Sequence, residues 1–528
     1  MHRAAMRQKY GAKVCAVDAA LRRLIAADAR RGLATTVVAI DDARTMRRFD
    51  APPVGAPAPV GTIAAERATK RAVDAVYAKL RPHYLMLLDG PDVIPHQSLR
   101  NDPGLGGTDP IIASDLPYAC DVGWSRDRLR FTGPVRVVGR VPGVTGSRDP
   151  TALVAALAAA SRWRPTVLPL DRPCLTVAAS NNGGATDRSL DRLFGAESDL
   201  RLVPPSRCHW PQELLRRPLH YFDCHGVDGW SDFEGKDGSA DSPIAHSSRF
   251  VRENLPPGIF ATMLCCYGAQ LYDHVATKSF EPMANSYFRR GALAYMGSTT
   301  MSYGGVDDAM LCDKLASSFV FHLLRGASTG RALLEARHDF LRVYTDVEAT
   351  VATTLAQFLL LGDPSVHATH RHADARRVAS GPRAQTFAEL ALRRGERRLQ
   401  LDAAGSGLQR AVTPYVRRSH EAPATVLRRL RREVRAAGGD APALHWYEPR
   451  LRASAVRRRA AFGVPAARIC IASSAVPGDG KAGARHVLAI ARTEGDRVVS
   501  VHRLASKGPA PARTSRAKPG AEVEPQTR

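Results

Sequence analysis

A histidine and a cysteine, His225 and Cys265, each end a short apolar run and are each followed closely by glycine. The first run is Leu219-His220-Tyr221-Phe222-Asp223-Cys224-His225-Gly226. The second is Ile259-Phe260-Ala261-Thr262-Met263-Leu264-Cys265-Cys266-Tyr267-Gly268. A thiol is a weak nucleophile until it loses its proton, and a nearby imidazole both takes that proton and stabilises the thiolate. Gly226 and Gly268 let a substrate backbone approach closely, and a backbone N–H beside the pair stabilises an oxyanion. On residue type alone, the same side chains fit the packed ends of two ordinary strands.

The elements that must position this pair follow from the surrounding pattern. Up to about residue 368, apolar β-rich runs alternate with helical patterns, which predicts an α/β fold on a mostly parallel sheet. Strands are expected at Val37–Ile40, Tyr84–Leu88, Val135–Val138, Leu175–Ala179, Leu219–Asp223, Ile259–Leu264 and Leu293–Met296. Helices are expected at Val17–Ala29, Ile63–Leu80, Pro150–Ser161, Ala309–Leu324 and Gly330–Val343. Neighbouring parallel strands end on one sheet edge, so the two endings can face each other across a cleft. The Gly-, Pro- and Asp-rich loops Asn101–Asp109 and Val227–Ser242 are expected near that edge.

At 528 residues the chain has room for about two to four domains. No run approaches the roughly 18 apolar residues of a membrane span. The opening Met1-His2-Arg3-Ala4-Ala5-Met6-Arg7-Gln8-Lys9 has no apolar core behind it, so an intracellular, cytoplasmic protein is expected. Nine irregularly spaced cysteines without a C-x-x-C do not form a disulfide framework. The net charge of +24 is concentrated in the tail, where residues 371–528 carry 32 Lys and Arg against 13 Asp and Glu.

Seven motifs follow one another along the chain: Leu87–Pro95 with Gly90-Pro91-Asp92, Ser114-Asp115-Leu116-Pro117-Tyr118-Ala119, Val138-Gly139-Arg140-Val141-Pro142, Phe222–Gly226, Leu264–Gly268, Tyr295-Met296-Gly297-Ser298-Thr299, and Leu361–Ser365. In this order, over residues 80–368, they resemble the gingipain family of cysteine peptidases in the caspase-like clan. The resemblance implies a caspase-like three-layer sandwich and a cysteine endopeptidase acting on peptide or protein substrates through a thioacyl-enzyme, with no cofactor. It implies His225 as general base, Cys265 as nucleophile, and Gly226 with the cysteine N–H as oxyanion hole. The family's Cys-x-x-Gly spacing selects Cys265, whereas a caspase-like Cys-x-Gly spacing selects Cys266 as the alternative nucleophile. Trp230, Ser298 and Thr299 are expected to flank a substrate pocket, within a Ser298–Tyr303 stretch at the same edge. A third, carboxylate member is not placed by the motifs; Asp115 and Asp223 are the candidates.

The expected organisation is an N-terminal α/β subdomain at 1–165, a catalytic subdomain at 166–370, an Arg/Ala-rich segment at 371–460, a small β-containing module at 461–508 and a disordered tail at 509–528. Within the module, strands are expected at Ile469–Ser473, His486–Ala491 and Arg497–His502. Two alternatives stand beside the peptidase: a catalytically inactive interaction module of the same fold, and a protein whose basic tail binds a polyanion, nucleic acid or acidic protein. Cys208-His209 and Cys224-His225 offer a zinc-like residue set, but side chains of adjacent strand residues diverge. Gly104-Leu105-Gly106-Gly107 lacks the third glycine of a dinucleotide loop, and no P-loop, H-E-x-x-H or G-x-S-x-G is present.

Overall fold

The computed structural model describes residues 1–101, 109–164, 168, 173–194, 199–235, 242–305, 309–344 and 349–369. Of the C-terminal part it describes 415–418, 424–436, 443–449, 467–476, 485–494 and 497–509. Its centre is one eight-stranded sheet. The strand order is Leu85–Leu88, Val138–Val141, Phe358–Gly362, Ala294–Ser298, Phe260–Met263, Leu219–Asp223, Cys174–Ala179 and Leu200–Val203. All neighbouring pairs run parallel except Phe358–Gly362 against Ala294–Ser298. Five strands therefore end on one edge, and the histidine and cysteine runs are two of them.

Both faces of the sheet are covered by helices. Along the histidine strand, His220 reaches Tyr287 on one face while Asp223 bonds Thr186 on the other, the period of two that a strand buried on both sides requires. Among the described residues no helix is long and apolar enough to cross a membrane.

The expected helices are present, at Val14–Arg30, Ile63–Leu80, Thr151–Arg162, Cys312–Leu324 and Thr329–Val343. Two strands differ. The one expected at Val135–Val138 lies at Val138–Val141, because its third residue, Arg140, is fully buried in an ion pair and so looks polar in sequence while packing inside. Residues 37–40 carry no ladder.

The upstream motifs meet in one buried network. Arg140 donates to both oxygens of Asp115, at 2.6 and 2.8 Å, and to the carbonyls of Asp89 and Ile94. His96 Nδ1 lies 2.9 Å from Asp115, and Tyr118 donates to the Pro95 carbonyl. Gly139 packs on the Gly362 carbonyl and Pro364, where a Cβ would not fit. The motifs Val-Gly-Arg and Leu-Gly-Asp-Pro thus need glycine for close packing.

The C-terminal elements form a second, antiparallel sheet in the order Tyr303–Gly305, Arg497–Pro509, Arg485–Glu494, Ala467–Val476, Ala443–Pro449 and Tyr415–Arg418. The helix Ala424–Ala436 packs against it through buried Val426, Leu430 and Val434 and exposes Arg428, Arg429, Arg431, Arg432 and Arg435. Three of these strands contain the runs expected at 469–473, 486–491 and 497–502. The tail expected to be disordered lies outside the described residues from 510 onward.

Candidate active site

The histidine and cysteine strands are immediate neighbours, with Phe222 opposite Met263, and the Leu264 N–H donates to the Phe222 carbonyl at 2.8 Å. Past that bond the chains diverge. His225 exchanges backbone hydrogen bonds with Glu234, at 2.8 Å each way. Residues 265–268 form a tight turn in which the Gly268 N–H reaches the Cys265 carbonyl at 3.2 Å. Gly226 lies directly against this turn, and a Cβ there would overlap the Cys266 carbonyl and touch the Cys265 Cβ. Only glycine lets the two endings approach so closely.

Tyr267, inside the turn, has φ +56°, the left-handed region that bulky residues rarely occupy. Its N–H donates to Thr300 at 3.1 Å and its hydroxyl to Asp109 at 3.0 Å, which hold it there. Strain retained by surrounding contacts is a frequent mark of a functional site.

Both thiols are free and fully buried, and they differ in surroundings. The Cys265 sulfur lies 3.9 Å from the Phe222 carbonyl and beside the Cys224 thiol. Burial first, and then Cys224, push its pKa well above the ordinary thiol value. The Cys266 sulfur accepts the Ser302 N–H at 3.2 Å and faces the Ser302 hydroxyl at 3.8 Å. Burial pushes its pKa up to about 12 although those donors favour the thiolate. Burial thus disfavours the thiolate form at both positions.

The His225 ring is buried, and its Nε2 lies 3.0 Å from Asn181 Oδ1. An amide oxygen accepts, so this contact favours the tautomer with the proton on Nε2 and Nδ1 as the basic nitrogen. Asn181 follows the Cys174–Ala179 strand, the next neighbour of the histidine strand, and so arrives at the same edge. The motif reading passed it over. Its only signal is a Ser-Asn-Asn-Gly directly after an apolar strand, which identifies no chemistry without the neighbour it meets.

Neither carboxylate candidate engages this ring in the bonds described. Asp115 is held by Arg140 and His96, and Asp223 bonds Asn182 and Thr186 on the opposite face from Phe222. Ser298 and Thr299 are buried, with their hydroxyls on the carbonyls of Thr300 and Ala113. Trp230 is 45% exposed on the loop after His225-Gly226. That loop is clasped to the cysteine turn by Gln270, which accepts from the Gly229 N–H and donates to Asp228. Asp109 joins the same edge through Tyr267 and the Met301 N–H. Among the described residues, no three His, Cys, Asp or Glu side chains gather as metal ligands.

Residues 219–369, which contain both strand endings, match peptidase family C25. The chain is similar to a solved complex of the RgpB pro- and mature domains from Porphyromonas gingivalis, at 14% identity and TM-score 0.45 over 66% of this chain and 77% of that one. It is similar to the Arg-specific cysteine proteinase gingipain R at 13% identity and TM-score 0.40, over 58% and 69%. It is also similar to the separase–securin complex of Saccharomyces cerevisiae at 13% identity and TM-score 0.29, over 44% and 14%. No curated protein sequence matches it. The match over residues 219–369 bears out the gingipain-family resemblance read from the motifs of that segment.

Proposed function

From the match of residues 219–369 to peptidase family C25, we propose that the chain is a cysteine endopeptidase with Cys265 as nucleophile and His225 as its base. The observation that carries this reading is the direct packing of Gly226 on the Cys265–Cys266 peptide. It brings the imidazole-bearing and thiol-bearing strand ends to one point of one sheet edge.

Burial raises the Cys265 pKa, so His225 is assigned to take the thiol proton as general base in the attack. His225 Nδ1 takes the Cys265 proton as the sulfur attacks the peptide carbonyl. The tetrahedral oxyanion is received by backbone N–H groups at Gly226 and the cysteine turn. The imidazolium then protonates the leaving amine, giving a thioacyl-enzyme, and water activated by His225 releases the acid. Asn181 keeps the ring in the tautomer that leaves Nδ1 basic.

A second reading, with Cys266 as nucleophile, is favoured by the Ser302 N–H aimed at its sulfur. Trp230, Ser298 and Thr299 are retained as flanks of the substrate cleft. The test is direct: purified protein incubated with carboxymethylated casein generates new peptide termini, read by mass spectrometry. A chain that yields none fails the proposal.

Asn181 acts through His225, so its removal is expected to lower kcat with little change in KM. A misoriented base costs up to about 10²-fold. Asn181→Asp restores the acceptor and adds a negative charge beside the imidazole, which favours the imidazolium. The acidic limb of the pH–rate profile is then expected to move to higher pH. Unchanged kcat in Asn181→Ala removes Asn181 from the mechanism.

A further inference from the structure

The helix Ala424–Ala436 divides its residues cleanly between two sides. Val426, Leu430 and Val434 recur every four positions, fall on one side, and are buried. That side packs on the strands Ala467–Val476, Arg485–Glu494 and Arg497–Pro509. Arg428, Arg429, Arg431, Arg432 and Arg435 fall on the other side, and all five are exposed. At about 100° per residue their directions cover an arc of about 160°, centred opposite the buried side chains. From Arg428 to Arg435 the helix rises about 10 Å. One acidic residue, Glu433, accompanies the five arginines.

What the exposed face lacks decides which polyanion it fits. Besides the arginines, it shows only Ala424, Thr425 and Ala436. A protein partner is held mainly by apolar and aromatic anchors at the centre of an interface, and this face has none. A helix lying on a membrane needs its apolar side for the lipid, and here the sheet occupies that side. Single-stranded nucleic acid is held by bases stacked on aromatic rings, and the helix contains no aromatic residue.

A duplex phosphate backbone needs none of these. Guanidinium forks match phosphate oxygens, and neutralising phosphates supplies affinity without any contact to a base. A major groove about 12 Å wide admits an α-helix, and a wide arc of arginines reaches the phosphates on both walls. We propose that the arginine face of this helix binds double-stranded nucleic acid through its phosphate backbone, without reading the sequence. The helix is already seated on the second sheet, so its arginines are presented on a preformed element. The surface shares no residue with the histidine–cysteine site, and the inference does not rest on the peptidase reading.

The test titrates the full chain into a fluorescein-labelled mixed-sequence DNA duplex of about twenty base pairs, read by polarisation from about 50 to 200 mM KCl. Log affinity is expected to fall linearly with log salt, by a slope of about 0.9 for each phosphate neutralised. Arg428→Gln, Arg431→Gln and Arg435→Gln together are expected to weaken binding at least tenfold and to flatten that slope by about 2 to 3. Glutamine is a comparable helix former, so the melting curve is expected to match the parent's. Arg22→Gln, Arg23→Gln and Arg30→Gln remove the same charge from exposed positions of the Val14–Arg30 helix. That control is expected to bind as the parent does. The proposal is overturned if the duplex does not bind at the lowest salt, or if the two triple variants weaken binding equally. It is equally overturned if polyglutamate, or phosphatidylserine vesicles, at matched charge bind the parent more tightly than the duplex does.

Discussion

His225→Ala is expected to lower hydrolysis of an unfolded protein substrate by about 10³-fold or more, because the proposed dyad then loses the base for its thiol. Cys265→Ser is expected to lose activity to the same extent, and the double variant to fall no further. Residues that act as one unit show that non-additivity. Cys266→Ala is expected to retain most of the activity, since its sulfur is engaged with the backbone of Ser302, accepting its N–H and donating to its carbonyl. Initial rates for the four proteins, alongside their melting curves, decide the matter. Loss in Cys266→Ala with retention in Cys265→Ser would transfer the nucleophile to Cys266.

The second large effect is on stability. Arg140 is fully buried, and its guanidinium is shared between Asp115 and two backbone carbonyls. Arg140→Met leaves the Asp115 carboxylate buried without its main cation, at a cost of about 3–5 kcal/mol. Asp115→Leu combined with Arg140→Met is expected to recover part of this, because no lone charge remains. The recovery is incomplete because Asp89 and Ile94 still lose a donor to their carbonyls.

The pH dependence follows from the same pair. Burial alone would raise the Asp115 pKa, but Arg140 and His96 outweigh it and hold the carboxyl well below its ordinary value. A depressed carboxyl contributes stability above its unfolded value of about 4 and loses it as pH falls. The stability gap between the parent protein and Asp115→Asn is therefore full at neutral pH and closes progressively below about pH 4. A gap in urea unfolding that does not change with pH would contradict the ion pair.

The parts of the fold legible in sequence are those whose pattern is local. Ile63–Leu80 and Leu219–Asp223 carry their periodicity within their own residues, and both fall where the pattern placed them. Phe358–Gly362 was not legible: its apolar run continues directly from the helical Ala349–Gln357 with no breaker between them. Val37–Ile40 has β-forming residues but no ladder; its backbone is tied instead to Met1, at the Val38 carbonyl and the Ile40 N–H.

At the site the limit is similar. The proposed His225, Gly226 and Cys265 are singled out by a local signal, reactive residues with glycine after an apolar run. Asn181 and Ser302 are not, because each acquires a role only from a side chain or sulfur that the fold brings to it. Asp115 attracted attention as a carboxylate, and its geometry assigns it to Arg140.

The central claim, a thiol activated by His225, is tested most directly by covalent labelling. The intact protein is treated at neutral pH with a panel of peptidyl acyloxymethyl ketones differing in the residue beside the warhead, and the adduct is mapped by mass spectrometry. The account predicts a single adduct on Cys265 that disappears in His225→Ala. Absence of any adduct on Cys265 across the panel, or labelling that persists without His225, would contradict it.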